Sequence, residues 1–198
     1  MENKVVLQNE LFYCEHLTDS DEVRQLIDGF TVTDSRGKGL VQYLQKYALK
    51  EELAGQMRTY LVRDVVTNEL VGYFSLKAGM ASANERRFLF RKKFDTVSGI
   101  ELANFAVNNT YKKTHEKYSR IGAAMFYYFI IPIIKKIAER VGARILYVFA
   151  LPHSNLIEYY RTLGFERLSF FDEQRVHRRM KPNYDRYCIF MYQLIDES

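Results

Sequence analysis

The sequence contains no tryptophan, three prolines, two cysteines and four histidines in 198 residues. So few prolines, with only ten glycines, exclude collagen-like, Pro-rich and low-complexity chains, and no internal repeat is visible. Cys14 and Cys188 lie at opposite ends of the chain with no histidine or cysteine at metal-ligand spacing. A zinc site therefore has little support, and free thiols in a reducing cytoplasm fit best. Long hydrophobic runs are also missing. The longest, Met125 to Ile134, has ten residues, about half of the ~20 that a membrane-spanning helix needs, so it reads as a buried helix. Near the N-terminus, Val5-Val6-Leu7 soon meets Gln8, Asn9 and Glu10, too short an apolar stretch for a secretory signal.

What the chain does contain is core-forming material: 47% hydrophobic residues, 27% charged, with 15 Tyr and 14 Phe. This is a soluble globular composition, and the length suits one domain over 1–198 with no linker. The formal charge of +5 permits an anionic partner. The positive residues cluster as Arg86-Arg87 with Arg91-Lys92-Lys93, as Lys112-Lys113 with Lys117 and Arg120, and as Arg175, Arg178, Arg179 and Lys181. Any one cluster alone reads as a solvated face.

Pattern along the chain predicts alternating strands and helices. Val5 to Leu17 reads as a first strand, Thr18 to Asp21 offers capping side chains, and a short amphipathic helix follows to Phe30. Thr31 to Gly39 reads as a polar loop, and Leu40 to Ala54 as a second helix ended by Gly55. Thr59 to Val66 and Leu70 to Ala78 flank Thr67-Asn68-Glu69 as an antiparallel hairpin. The charged segment 79–96 reads as an insertion, Ile100 to Asn108 as an apolar strand, and Asn109 to Ser119 as a polar, basic connection. Arg120 to Val141 predicts a central helix kinked at Pro132 and capped by Gly142. Arg144 to Ala150 is a buried strand, His153 to Leu163 a helix stopped by Gly164, and Phe165 to Phe170 and Tyr187 to Leu194 further strands.

This order, with Tyr160-Arg161-Thr162-Leu163-Gly164-Phe165 at the end of a helix, resembles the GNAT N-acetyltransferase family over roughly Leu11 to Leu194. The hexapeptide matches the family's Tyr-x-x-x-Gly-Phe signature. It is preceded at the right distance by Ile100 to Val107 and by Ile121-Gly122-Ala123-Ala124. The resemblance implies an α/β (α+β) fold: a central, mostly antiparallel mixed sheet with a splayed strand pair, flanked by about four helices. It also implies acetyl-CoA as co-substrate, with no metal. Backbone groups of Phe105, Ala106 and Val107 should line the pantetheine arm where the fold's fourth and fifth strands splay apart. Small residues at a helix start let backbone N–H groups close around phosphate, the role implied for Ser119, Arg120, Ile121, Gly122, Ala123 and Ala124. Ser119 stands where the family has Gln or Arg, and the connection 108–118 is longer than usual in the family, so Arg120 and the preceding lysines are expected to supply phosphate-binding charge. Gly122 and Ala124 equally suit plain close helix-to-sheet contact.

Acetyl transfer to an amine needs the amine deprotonated, the thioester polarised and the departing thiolate protonated. Glu101, a lone carboxylate in an apolar strand, matches the general base of the family's histone-modifying members. Its structural alternative is an edge glutamate in water or paired to an arginine such as Arg144. Tyr160 matches the tyrosine that protonates the coenzyme sulfur in many members, its structural alternative being a core aromatic. Asn155 corresponds by resemblance to an asparagine near the coenzyme, two residues off the tyrosine's register, where His153 stands. A capping role for Ser154 or Asn155 is the structural alternative.

The stretch Leu40 to Ser75, with Tyr43-Leu44-Gln45-Lys46-Tyr47-Ala48, Thr59-Tyr60-Leu61-Val62 and Val71-Gly72-Tyr73-Phe74, is similar to GNAT toxins of bacterial toxin–antitoxin pairs, which acetylate aminoacyl-tRNA. The positive clusters suit RNA phosphates. A dedicated base at Glu101 is untypical of that branch. The leading expectation is thus an acetyl-CoA-dependent N-acetyltransferase acting on a primary amine of a small molecule, peptide or charged tRNA. The toxin-like enzyme and a non-catalytic acetyl-CoA-binding module stand as alternatives. No membrane partner is expected, and a homodimer is compatible.

Overall fold

The computed structural model describes residues 5–81, 96–118, 120–180 and 187–195. The strands form an eight-stranded, mostly antiparallel sheet in the order β1-β2-β3-β4-β5-β6-β8-β7. The chain divides into two compact units, Met1–Lys77 with Ala103–Pro132, and Ala78–Leu102 with Ile133–Ser198.

In the first unit the expected first strand is a hairpin, β1 (Val5–Gln8) and β2 (Phe12–His16). The break has a local cause: the Asn9 side-chain oxygen accepts the N–H groups of Leu11 and Phe12 at 2.9 and 2.8 Å, closing a turn that hydrophobicity alone does not reveal. Helix α1 (Asp21–Asp28) starts at Ser20, whose hydroxyl accepts the Val23 N–H. A 3₁₀ turn, Ser35–Gly37, occupies part of the expected loop. The expected second helix starts early and is divided at Tyr47 into α2 (Lys38–Lys46) and α3 (Ala48–Leu53). Strands β3 (Arg58–Asp64) and β4 (Leu70–Ala81) form the expected antiparallel hairpin. Val23, Ile27 and Phe30 with Leu44 pack on Leu61 and Tyr73, each worth roughly 1.5–3 kcal/mol when fully buried.

The strand β5 (Val97–Val107) begins three residues earlier than expected and ends on buried Asn108. Asn108 holds this end in place: its amide nitrogen donates to the Leu70 carbonyl at 2.8 Å, and its N–H bonds Val71 at 2.8 Å. Its side-chain oxygen also caps α4 (Asn109–Thr114), a helix inside the stretch read as a polar connection. Buried Tyr111 of α4 donates its hydroxyl to Asp64 at 2.5 Å. Next comes α5 (Ile121–Met125), which passes through a π turn, Phe126–Ile130, into α6 (Ile131–Val141). The π turn lies just before Pro132, whose ring would clash with the carbonyl of Tyr128 in regular α geometry. The helical path Ile121–Val141 is 21 residues, long and apolar enough to cross a bilayer, twice the apolar run counted from sequence. Its Met125, Phe126, Phe129 and Ile130 are buried in protein, as in a core helix.

In the second unit β6 (Ile145–Ala150) lies parallel to the first half of β5 and antiparallel to β8, with α7 (Ser154–Thr162) following it. Gly164, at φ +92°, turns the chain out of α7. The strand expected at Phe165 to Phe170 shrinks to β7 (Glu166–Arg167), because Ser169 starts a helix that the sequence reading missed, α8 (Phe170–Met180). The Ser169 hydroxyl accepts the Asp172 N–H at 3.3 Å and donates to the Asp172 carboxylate at 2.7 Å. Val176 of α8 packs with Tyr147, Phe149 and Phe190, the last from β8 (Ile189–Leu194). Of the expected insertion 79–96, residues 79–81 continue β4, and 82–95 lie outside the described residues.

Candidate active site

The site residues expected from sequence fall on both units, and each group is described in its own unit. In the first unit Phe105, Ala106 and Val107 are on the last part of β5. The β5–β6 register holds only Gly99↔Ile145, Ile100↔Leu146 and Glu101↔Tyr147. Beyond Glu101 no strand pairs with that edge of β5 among the described residues, so the main chain of Ala103–Val107 keeps hydrogen-bonding groups for another ligand. On the opposite edge Gly72 of β4 meets Ala106. A Cβ at Gly72 would lie 2.5 Å from the Ala106 carbonyl and 2.8 Å from Met125 of α5, so β4, β5 and α5 converge where only glycine fits. Gly72 was not among the expected site residues, and its place in the toxin-like stretch was the one signal pointing to it.

Arg120 sits at the start of α5 in the left-handed region, φ 61° and ψ 31°, and no side chain caps the helix. For a residue with a Cβ this conformation costs roughly 1–2 kcal/mol. The N–H groups of Ile121, Gly122 and Ala123 accordingly have no partner among the described residues. The Ala124 N–H is different: it bonds the Arg120 carbonyl at 3.0 Å, so the expected phosphate contact there is corrected to a helical one. Gly122 and Ala123 are half-buried and Arg120 is exposed, which leaves a small-walled set of amide donors beside one guanidinium. Those donors fit an anion such as a diphosphate. Ser119 lies outside the described residues.

The second unit holds Glu101, Asn155 and Tyr160. Glu101 is half-buried, beside Tyr147, its register partner on β6. Burial first, and then this carboxylate, push the Tyr147 phenol well above its ordinary range, so it stays a donor. The Tyr147 hydroxyl lies 2.0 Å from where a Cβ of Gly79 would stand. Neither Tyr147 nor Gly79 was a site residue in the sequence reading. Tyr147 read as part of a buried strand, and Gly79 as the first residue of the charged insertion.

Tyr160 projects from the last turn of α7 and is buried, its ring set edge-on to Phe165 at 5.4 Å. Burial, with a smaller contribution from Tyr159, pushes its phenol well above the ordinary range. Its hydroxyl has no hydrogen-bond partner among the described residues. The ring packs, as the core-aromatic reading expects. Asn155 is exposed in the first turn of α7. The cap position belongs to His153, whose carbonyl accepts from Leu156 and Ile157 and whose side chain makes no cap bond. Capping by Ser154 or Asn155 is therefore corrected.

No protein-family model matches the chain. Solved structures do match it along nearly their whole length. A tyrosine-to-phenylalanine mutant of KacT superposes with a TM-score of 0.65 at 17% identity, covering 94% of this chain and 96% of its own. A tyrosine-to-phenylalanine mutant of the AtaT toxin, bound to the C-terminus of the antitoxin AtaR and acetyl-CoA, gives 0.61 at 16% identity, with 93% of each chain covered. AtaT complexed with acetyl-methionyl-tRNAfMet gives 0.61 at 16% identity, covering 90% of this chain and 93% of that one. At these identities the likeness establishes architecture, and together with the interrupted β5–β6 pairing it shows that this chain has the GNAT acetyltransferase fold.

Proposed function

We propose that this chain is an acetyl-CoA-dependent N-acetyltransferase whose acceptor is the amino group of an aminoacyl-tRNA. This makes the toxin-like alternative the preferred reading over an unspecified amine. The observation that carries it is Tyr160: a buried phenol, held protonated, with its hydroxyl unspent among the described residues. The structural match to AtaT, solved with acetyl-CoA and with acetyl-methionyl-tRNAfMet, supports the choice of donor and acceptor. KacT and AtaT were both solved as variants in which one tyrosine is phenylalanine, and Tyr160 is proposed as the counterpart of that residue.

The chain's own groups divide the work. The N–H groups of Ile121, Gly122 and Ala123 donate to the diphosphate, with Arg120 supplying charge. The unpaired edge of Phe105, Ala106 and Val107 hydrogen-bonds the pantetheine amides. Glu101, beside Tyr147, takes a proton from the acceptor ammonium directly or through one water. The freed amine forms the C–N bond as the C–S bond breaks and releases its surplus N–H proton to solvent, while Tyr160 gives its proton to the departing sulfur and is reprotonated from solvent.

The test is acetyl transfer from labelled acetyl-CoA to methionyl-tRNA, alongside expression in a bacterial host. The reading expects N-acetylated methionyl-tRNA, coenzyme A release and growth arrest, each lost in Tyr160→Phe. Binding of acetyl-CoA with no coenzyme A release across charged tRNAs and a broad amine panel would instead make the chain a binding module.

A further inference from the structure

Helix α8 presents a cavity of about 330 Å³ lined by Phe171, Gln174, Arg175, Arg178 and Arg179, none of them a residue assigned above. These positions recur at spacings of three and four, so they share one helix face, while Glu173 and Val176 are buried on the other. Among the described residues lining the cavity, the charged side chains are all arginines. Asp172 is bonded to the Ser169 hydroxyl, and Glu173 is turned inward to Arg167 at 2.9 Å. Arg175 makes no ion pair among the described residues, and Arg178 only leans on Gln174 at 3.2 Å. At the N-terminal end Phe170 and Phe171 stand 68% and 80% exposed, an unusual placement for two adjacent phenylalanines in a chain with a well-filled core.

We propose that this face of α8 is an RNA-docking surface, on which the three arginines hold backbone phosphates and Phe171 stacks on an unpaired base. The inference rests on the charged-tRNA reading of the acceptor and assigns the element that would hold the polynucleotide. Guanidinium groups fork onto phosphate oxygens, and an exposed ring beside them offers a platform to any base. A lipid surface fits less well. The apolar side of α8 is already buried, and its exposed apolar residues form one adjacent pair rather than a stripe along the helix.

The experiment is fluorescence anisotropy of the full chain with labelled, deacylated bulk tRNA at 50–200 mM salt. Replacing Arg175, Arg178 and Arg179 together by Ala is expected to weaken binding at least tenfold and to flatten the log–log salt slope by about two to three. Phe171→Ala is expected to weaken a hairpin with a single-stranded 3′ end about fivefold or more, leaving a blunt hairpin unchanged. Acetyl-CoA affinity and Tm should not move in either variant, and ultraviolet cross-links from tRNA to the wild-type chain should map to Phe170–Met180. Unchanged tRNA affinity and slope, cross-links elsewhere, or a loss confined to anionic phosphatidylglycerol vesicles or an acidic peptide would overturn the proposal. The two readings fail separately. RNA binding through α8 without acetyl transfer would sink the acceptor assignment alone, and full-rate acetylation of charged tRNA by the triple variant would sink only the docking surface.

Discussion

Tyr147 stands beside Glu101, its partner across the short parallel pairing of β5 with β6, close enough for the carboxylate to raise the phenol. The Tyr147 hydroxyl reaches its place only because Gly79 has no side chain, since a Cβ there would lie 2.0 Å away. Gly79→Ala should therefore destabilise the fold by about 1–3 kcal/mol, the range for an overfilled core. In a Tyr147→Phe background the nearest ring atom is 3.2 Å off, and the penalty should shrink by at least ~1 kcal/mol. Urea unfolding of the two single variants and the double variant measures this coupling. Additive effects would mean that the contact is not the reason for the glycine.

If Glu101 takes the acceptor proton, Glu101→Gln should lower kcat roughly a hundredfold near neutral pH, with acetyl-CoA affinity unchanged. The deficit should narrow as pH rises, because the acceptor amine then loses its proton to solvent unaided. Tyr147→Phe, which removes only the neighbouring hydroxyl, should cost less than tenfold. A pH-independent deficit in Glu101→Gln would assign the carboxylate to structure instead.

Tyr160→Phe removes a hydroxyl that has no partner among the described residues and keeps the packed ring, so it should leave Tm within a degree or two of the parent. It should nonetheless lower coenzyme A release roughly a hundredfold or more, with acetyl-CoA binding within about twofold of the parent. A drop in Tm with activity retained would reduce Tyr160 to a core aromatic.

Alkaline pH offers a test of burial. Tyr73, Tyr111, Tyr147 and Tyr160 are held well above the ordinary tyrosine value of 10.0, and Tyr60 is pushed up to about 12, in each case first by burial. These phenols keep their protons when folded and lose them more readily when unfolded, so the unfolded state binds fewer protons above pH 10. Stability should thus be level in these groups below about pH 10 and fall above it, by up to ~1.4 kcal/mol per pH unit for each. Phenolate absorbance should rise in step with unfolding. Gradual titration of these tyrosines in the folded chain would contradict their burial.

Much of this architecture is legible in the sequence because burial imposes periodicity: the β3–β4 hairpin, the helix after Arg120 and the Tyr160-to-Phe165 segment all follow from pattern and glycine placement. The misses have local causes. Asn9 closes a turn inside a β-rich run, and Ser169 with Asp172 starts α8 where two phenylalanines suggest a strand. The places of Phe105 to Val107 on β5 and of Tyr160 on α7 were legible from pattern. Gly72, Gly79 and Tyr147 were not, because their importance comes from residues far away in sequence, Ala106, Met125 and Glu101, brought beside them only by the folded sheet.

The central claim is that amide hydrogens at Ile121 to Ala123, freed by the uncapped, left-handed Arg120, hold the diphosphate of acetyl-CoA. Calorimetric titration of the full chain with acetyl-CoA tests it most directly. One equivalent should bind per chain, and at a hundredfold excess over Kd the fold should gain about 2.7 kcal/mol. Gly122→Pro, which deletes one donor in the first helical turn, should weaken binding about tenfold, with the Tm of the unliganded variant reporting the separate cost to the helix start. No heat and no change in Tm on adding acetyl-CoA, or equal affinity in Gly122→Pro, would contradict it.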